Sequence, residues 1–212
     1  MAAHTLTLIR LNLRHNAARA DLRAADSLHK TLMRLIPGRS GPSPRKAAGL
    51  LFRLDEDDTP CLLVQTAVRP DLTALPDGYG TYATKDLTPM LRALTPGLPV
   101  HYRITANPIV HRMSEHVRNG TAKRGTLTAL HGDDALAWWH RKAAHAGLGL
   151  RTANATRRRF RRDYDTPGPH HALTQFDGTA LITDPGLLHT ALTDGIGRGK
   201  AYGAGLLTLA PA

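Results

Sequence analysis

One histidine of the sequence, His29, has a position suited to proton transfer. It follows Asp26, the predicted N-cap, by three residues, in the first turn of a predicted helix that runs to about Leu35. Leu28 and Leu32 lie on the apolar face of this helix, and His29 lies beside that face, near the rim of a core. A helix N-terminus disfavours the imidazolium form and helps to keep such a base neutral. The chain has 12 histidines, so its position alone does not make His29 catalytic.

The densest positive charge in the sequence is a run of arginines in the C-terminal half. It comprises Arg157, Arg158, Arg159, Arg161 and Arg162, with Phe160 among them. Several of these side chains must reach solvent or an anionic partner, because burial of an unpaired charge costs too much free energy. We interpret the run as a segment that binds RNA phosphates, with a solvated protein face as the alternative.

A glycine-rich segment, Gly195–Gly205 (GIGRGKAYGAG), follows near the C-terminus. It is not a Walker loop, because Ala201 follows the lysine where Ser or Thr would hold magnesium. Its glycines allow the backbone to approach RNA or another chain closely, and Arg198 and Lys200 add positive charge. A tight helix-to-strand connection without a ligand is the alternative, and the sequence favours neither.

No pattern of metal ligands is visible in the sequence. There is no H-E-x-x-H motif, and the carboxylates lie mainly in turns such as Asp55–Asp58, whereas two-metal nuclease chemistry needs clustered acidic ligands. The single cysteine, Cys61, excludes an internal disulfide and a cysteine-based zinc site, and we predict a buried inert thiol. We therefore expect neither a metal nor another cofactor.

Metal-free cleavage of RNA is the chemistry that these residues still allow. In that reaction the 2′-hydroxyl of the substrate attacks the adjacent phosphate, which requires an acid or base near neutrality and cations that hold the developing charge. His29 is the candidate for the first role.

The composition agrees with an anionic partner. The 212 residues include 28 Lys+Arg and 17 Asp+Glu, a net charge of +11, and such a field attracts polyanions. The N-terminus has no apolar stretch of signal-peptide length and no membrane span. We expect a cytoplasmic protein.

Periodicity predicts an α+β fold with antiparallel sheets. A strand over Thr5–Leu13 precedes an Arg-rich turn and the helix of His29, and a loop rich in Gly, Pro and Ser follows at Pro37–Lys46. Gly49–Leu54 and Cys61–Val68 form a predicted hairpin, and Pro99–Ala106 is the next predicted strand. This order is that of a ferredoxin-like half.

A second ferredoxin-like half is predicted after a basic linker. Its predicted elements are a helix at Asp133–Ala146, a strand at His171–Thr183, a short helix at Leu187–Thr193 and a strand at Ala204–Leu209. The predicted domains are residues 1–108 and 126–212, joined by the linker 109–125.

Three segments together resemble the CasE family of CRISPR-associated precursor-crRNA endoribonucleases. They are Asp26–Pro37 (DSLHKTLMRLIP), Arg103–Arg112 (RITANPIVHR) and Gly195–Pro211 (GIGRGKAYGAGLLTLAP). The resemblance implies two tandem ferredoxin-like, RRM-related domains that bind a CRISPR repeat stem-loop. It also implies one metal-independent cut at the base of the stem-loop, which leaves a 2′,3′-cyclic phosphate and a 5′-hydroxyl, and retention of the product within the Cascade complex.

The resemblance assigns roles to particular residues. The family's helical histidine corresponds to His29, and its glycine-rich loop corresponds to Gly195–Gly205. The basic strand or loop of its second domain, which enters the major groove of the RNA hairpin, corresponds approximately to Arg157–Arg162. Several relatives carry a tyrosine three positions before the histidine, where this chain has Asp26, whose charge would repel a phosphate. Ser27, Lys30 and Lys200 are candidates to complete the site.

Two other functions are compatible with the composition. One is a catalytically impaired subunit on the same fold that holds an RNA hairpin through its arginines. The other is a basic DNA-binding regulator, although the sequence shows no helix-turn-helix pattern.

Overall fold

The computed structural model describes residues 4–38, 41–56, 59–112, 126–158 and 172–212. The described residues form two large antiparallel sheets, a further pair of strands and helices, which confirms the predicted α+β fold of two ferredoxin-like domains. None of the helices in these ranges is long and apolar enough to cross a membrane.

The first sheet, called sheet 1 below, contains four strands. They are β1 (Thr5–Leu11), β2 (Leu51–Asp55), β3 (Cys61–Thr66) and β4 (Gly80–Asp86). Their order, β2-β3-β1-β4, is that of a ferredoxin-like sheet. Three helices connect β1 to β2, namely α1 (Asn16–Arg23), α2 (Ala25–Arg34) and α3 (Pro44–Ala47). Ile9 and Leu62 on one face of sheet 1 form a core with Leu28 and Leu32 of α2.

The second sheet, sheet 2, follows the short helix α4 (Thr88–Arg92) and repeats the same topology. Its strands are β5 (Pro99–Ala106), β8 (Leu148–Leu150), β9 (Asn154–Arg157), β10 (Thr174–Ile182) and β11 (Leu207–Pro211). The order is β11-β5-β10-β8, and β9 also pairs with β10. Helices α5 (Gly132–His145) and α6 (Pro185–Asp194) complete the domain. Trp139 of α5 stacks on Phe176 of β10, with ring centroids 5.5 Å apart.

Two predictions about sheet 1 are wrong. The predicted Arg-rich turn after β1 is helix α1, whose buried residues are Ala18 and Asp21 and therefore give no large apolar stripe. The predicted fourth strand, Pro99–Ala106, is instead β5 of sheet 2, and β4 occupies its place. β4 is an edge strand without a buried residue, so it lacks the apolar alternation that reveals a strand. We therefore propose that the first domain ends before Pro99 and not at residue 108.

Part of the predicted linker is a β-hairpin. Residues Ile109–Arg112 of the predicted linker form β6 and pair with β7 (Thr126–Ala129). The rest of the predicted linker, 113–125, lies outside the described residues.

The two domains contact each other through the side of sheet 1 that faces away from its helices. Arg53 of β2 is buried and binds both carboxylate oxygens of Asp55, at 2.7 and 3.0 Å. The same guanidinium donates to Thr208 Oγ1 at 2.8 Å and to the carbonyl oxygen of Arg103 at 3.1 Å, both in sheet 2. This buried pair therefore joins the two sheets.

Candidate active site

His29 lies on α2 with its ring half-buried. Its Nδ1 atom is buried and has no hydrogen-bond partner among the residues that the structure describes. Burial lowers the pKa of His29, the nearby charge of Arg45 lowers it further, and Asp26 partly opposes both effects. A histidine in these surroundings is neutral at neutral pH and can accept a proton.

A buried carboxylate fixes the start of the helix that carries His29. Asp21 of α1 accepts hydrogen bonds from Ser27 Oγ at 2.5 Å and from the Tyr79 hydroxyl at 2.9 Å. Burial and the neighbouring Asp21 raise the pKa of Tyr79, so this phenol stays protonated as a donor. Asp26 was the predicted N-cap, and this prediction is wrong, because the N-cap position is Ala24 and Asp26 lies exposed in the first turn.

The glycine-rich segment folds back on itself and packs against α2 and β2. The Ile196 N–H donates to the carbonyl oxygen of Gly205 at 3.0 Å, and the Gly205 N–H donates to that of Thr105 at 2.7 Å. Gly205 has φ +90°, and a Cβ atom there would lie 2.8 Å from the Ile196 oxygen, which requires glycine. The 3-10 turn Lys200–Tyr202 thereby contacts α2.

This fold of the loop places Lys200 on a turn that contacts α2, the helix of His29. The Lys200 ammonium donates to the carbonyl oxygen of Asp194 at 2.6 Å. Burial lowers the pKa of Lys200, and the charge of Arg45 lowers it further. The charge of Arg45 acts on both His29 and Lys200, and the turn that carries Lys200 contacts α2, so we group the three residues as one candidate site. Arg198, the other predicted cation of this loop, is exposed.

Only the beginning of the predicted arginine run lies within the described residues. Arg157, the last residue of β9, is exposed, whereas the half-buried guanidinium of Arg158 donates to Gln175 Oε1. Gln175 in turn donates to Asp177 on the same strand at 2.6 Å. The remaining predicted arginines lie outside the described residues: Arg159, Arg161 and Arg162.

Arg158 also borders a pocket between the two domains. Leu28 of α2, Phe52 of β2 and Tyr202 of the glycine-rich loop line the same pocket. The base of the arginine run therefore lies near the helix that carries His29. The buried Oγ1 of Thr105 also lines this pocket and has no hydrogen-bond partner among the described residues.

Arg45 is the residue of this site that sequence reasoning missed. It belongs to Pro37–Lys46, predicted to be a polar loop, in which Pro44–Ala47 instead form helix α3. Its guanidinium is half-buried and donates to the carbonyl oxygen of Leu50 at 2.9 Å. The available signal was Ser43-Pro44, a polar residue followed by proline, which is typical of a helix start.

Metal ligands do not cluster in the described parts of the chain. No group of three or more His, Cys, Asp or Glu side chains is placed there to share an ion. Cys61, predicted to be buried, is partly exposed.

Fold and site together define a protein with two ferredoxin-like domains that places a neutral histidine beside cations. The sequence matches the family model described as CRISPR associated protein over residues 6–211. The chain therefore belongs to this family of CRISPR-associated proteins, and the resemblance to CasE-type endoribonucleases is confirmed.

Two relatives and one solved structure illustrate the similarity. The chain is 31% identical to the CRISPR-associated endoribonuclease Cse3 of Thermus thermophilus, over 97% of this chain and 99% of the relative. It is 30% identical to the CRISPR system Cascade subunit CasE of Escherichia coli, over 92% and 96%. A structure of the CRISPR endoribonuclease Cse3 bound to a 19-nucleotide RNA matches with a TM-score of 0.79 and 29% identity, over 99% and 100%.

Proposed function

We propose that this chain is a metal-independent endoribonuclease that binds a CRISPR repeat stem-loop and cuts precursor crRNA at the base of the hairpin. It then stays on the product as a subunit of Cascade. The observation that carries this proposal is the half-buried His29, kept neutral by burial and by Arg45, on the helix that the turn of Lys200 contacts. Similarity over nearly the whole chain to Cse3 and CasE supports the substrate class and the assembly.

The proposed reaction uses the RNA's own 2′-hydroxyl as the nucleophile. Neutral His29 accepts the proton of that hydroxyl while the 2′-oxygen bonds to phosphorus. The bond from phosphorus to the 5′-oxygen breaks, and this oxygen takes a proton from solvent. The products are a 2′,3′-cyclic phosphate and a 5′-hydroxyl, and nearby cations stabilise the charge on the phosphate oxygens in the transition state.

Lys200 is the best placed of the three residues considered as completing the site. The hydroxyl of Ser27 is committed to Asp21, and Lys30 is exposed on α2. The side chain of Lys200 is half-buried, and the charge of Arg45 acts on both Lys200 and His29. We assign to Lys200 the stabilisation of the phosphate during cleavage.

The arginine run is proposed to bind the RNA hairpin. We expect replacement of Arg158 and Arg161 together by alanine to weaken hairpin binding strongly, because each guanidinium releases counterions from the RNA. The slope of the logarithm of the binding constant against the logarithm of the salt concentration should become shallower by the amount expected for about two phosphate contacts. Binding titrations at several salt concentrations measure this slope, with Arg141→Ala on the exposed side of α5 as the control. An unchanged slope would assign these arginines to a solvated face or to a protein partner.

A catalytically impaired hairpin-binding subunit is the second candidate function. The observation that favours it is Asp26, a carboxylate in the first turn of α2 whose charge raises the pKa of His29 and repels a phosphate. On this alternative the protein binds the hairpin tightly and in a salt-sensitive manner but leaves it intact.

Mixing the protein with excess labelled repeat hairpin RNA separates these candidates. We expect one cut at the base of the hairpin, with an amount of product equal to the amount of protein, because the product stays bound. Size-exclusion chromatography should then show the hairpin fragment eluting with the protein. Binding without any cut, across several repeat sequences, would favour the impaired subunit. Several cuts and a released hairpin would contradict the proposed function.

A further inference from the structure

A basic cleft lies between the two domains, at the 3-10 turn that contacts α2, the helix of His29. It is lined by Arg45, Lys46, Thr193, Asp194 and Lys200. We propose that this basic cleft binds one backbone phosphate of the RNA, adjacent to the scissile phosphate. This inference rests on the proposed function and adds Arg45 to it as a residue that positions the strand.

Two cations of the basic cleft are held in place by the protein. Arg45 donates to the Leu50 carbonyl oxygen at 2.9 Å, and Lys200 donates to the Asp194 carbonyl oxygen at 2.6 Å. Each of these bonds uses one donor, whereas a guanidinium has five N–H donors and an ammonium three. The anchored side chains therefore keep further donors for an anion, and little side-chain entropy is lost when it binds.

The charge of the basic cleft favours a negatively charged occupant. Three cationic side chains stand against one carboxylate, that of Asp194. Arg45 and Lys46 repel Lys200, and this repulsion adds to the effect of burial in lowering the pKa of Lys200. A phosphate between these side chains reduces the repulsion and forms charge-assisted hydrogen bonds. The cleft has a volume of 260 Å³, whereas one water occupies about 30 Å³, so a phosphate group fits.

The position of the basic cleft favours a phosphate of the RNA strand over a free anion. Lys200 belongs to the 3-10 turn that contacts α2, the helix of His29, so the basic cleft lies near the reacting group. The charge of Arg45 acts on His29 as well as on Lys200, which agrees with this placement. A strand that presents one phosphate to His29 carries its next phosphates along the same surface. Arg45 then serves two purposes, since it holds the strand and keeps His29 neutral.

Substitution of single RNA phosphates tests the proposal. Hairpin RNAs carrying one neutral methylphosphonate linkage at each position around the cut are bound to the wild-type protein and to Arg45→Gln. A 2′-deoxy residue before the scissile phosphate keeps these RNAs intact, so the map of binding does not depend on cleavage. Gln keeps an N–H donor for the Leu50 carbonyl oxygen and removes the charge, and Arg141→Gln on α5 is the matched control.

We expect one linkage at which the neutral substitution weakens binding to the wild type by about tenfold, the size of one charge-assisted contact. Arg45→Gln should bind unmodified RNA about tenfold more weakly and show no further loss at that linkage. Equal losses at every linkage for both proteins, or wild-type binding by Arg45→Gln, would overturn the proposal. The proposal would also be overturned if inorganic phosphate inhibited RNA binding by the wild type but not by Arg45→Gln, while no methylphosphonate linkage weakened binding. The cleft would then bind a free anion.

The pH dependence of cleavage gives a second readout for Arg45. Among the described residues, the charges of Arg45 and Asp26 act on His29. Loss of the positive charge raises the pKa of His29, so the rise of the single-turnover rate with pH should shift to higher pH in Arg45→Gln. An unchanged profile would contradict this role of Arg45. If no protein cuts any RNA, the proposed function fails, whereas the methylphosphonate map still decides the phosphate subsite.

Discussion

Substitution of His29 by alanine is expected to slow single-turnover cleavage of the repeat hairpin by about 10²–10⁴-fold, the usual contribution of one general acid or base. Affinity for the hairpin should change by no more than a few-fold, because His29 is neutral and contributes no charge to the attraction of RNA. Rates at saturating protein and separate binding titrations measure the two effects independently.

The control for this substitution is His140→Ala, on the exposed surface of α5. It removes an imidazole elsewhere and should leave the rate unchanged. Undiminished cleavage by His29→Ala would show that His29 takes no part in the reaction. A parallel loss of rate and affinity would indicate that α2 had lost its position, which urea unfolding of the variant would reveal.

The second large effect is expected at the buried pair between the sheets. Asp55→Ala leaves the guanidinium of Arg53, 3% exposed, without its carboxylate. Removal of one partner from a buried ion pair typically lowers the free energy of unfolding by about 3–5 kcal/mol. Because Arg53 also bonds to Thr208 and to the Arg103 carbonyl oxygen, we expect weaker contact between the domains as well. Urea unfolding followed by tryptophan fluorescence and circular dichroism measures both effects.

A double variant separates the cost of the unpaired charge from other causes. Arg53→Met with Asp55→Leu removes both charges and should recover much of the lost stability, since apolar replacements of a buried pair are often neutral. Asp133→Ala, at an exposed position in the first turn of α5, should cost about 1 kcal/mol or less. An Asp55→Ala variant as stable as the wild type would contradict the account of the interface.

The fold was predictable where local pattern and burial agree. The hairpin of β2 and β3 consists of two largely apolar segments around an acidic turn, and α5 begins with acidic residues and ends before Gly147, so both were found close to their observed bounds. β4 and α1 were missed because neither buries large apolar side chains. The partners of β5 depend on long-range pairing in sheet 2, which periodicity along the chain does not encode.

Residues of the candidate site could be proposed from the sequence where their type or composition is distinctive, but their proximity to one another could not. His29 was identified from its place in a helix, and the glycine-rich loop from its composition, but their proximity results from the packing of the two domains. Arg45 gave no signal of function because its segment is polar and rich in proline. The proposed role of Arg45 depends on its hydrogen bond to Leu50 and on its proximity to Lys200. Lys200 is distant in sequence and comes near Arg45 only in the folded protein.

Cleavage in EDTA tests the central claim most directly. The purified protein is incubated with the labelled repeat hairpin in EDTA, beside the same RNA carrying a 2′-deoxy residue before the scissile phosphate. We predict one cut in the all-ribose RNA, with a 2′,3′-cyclic phosphate end, and no cut in the deoxy RNA, because the attacking hydroxyl is missing. A cut that requires added metal, or that persists in the deoxy RNA, would contradict attack by the 2′-hydroxyl with His29 as the base.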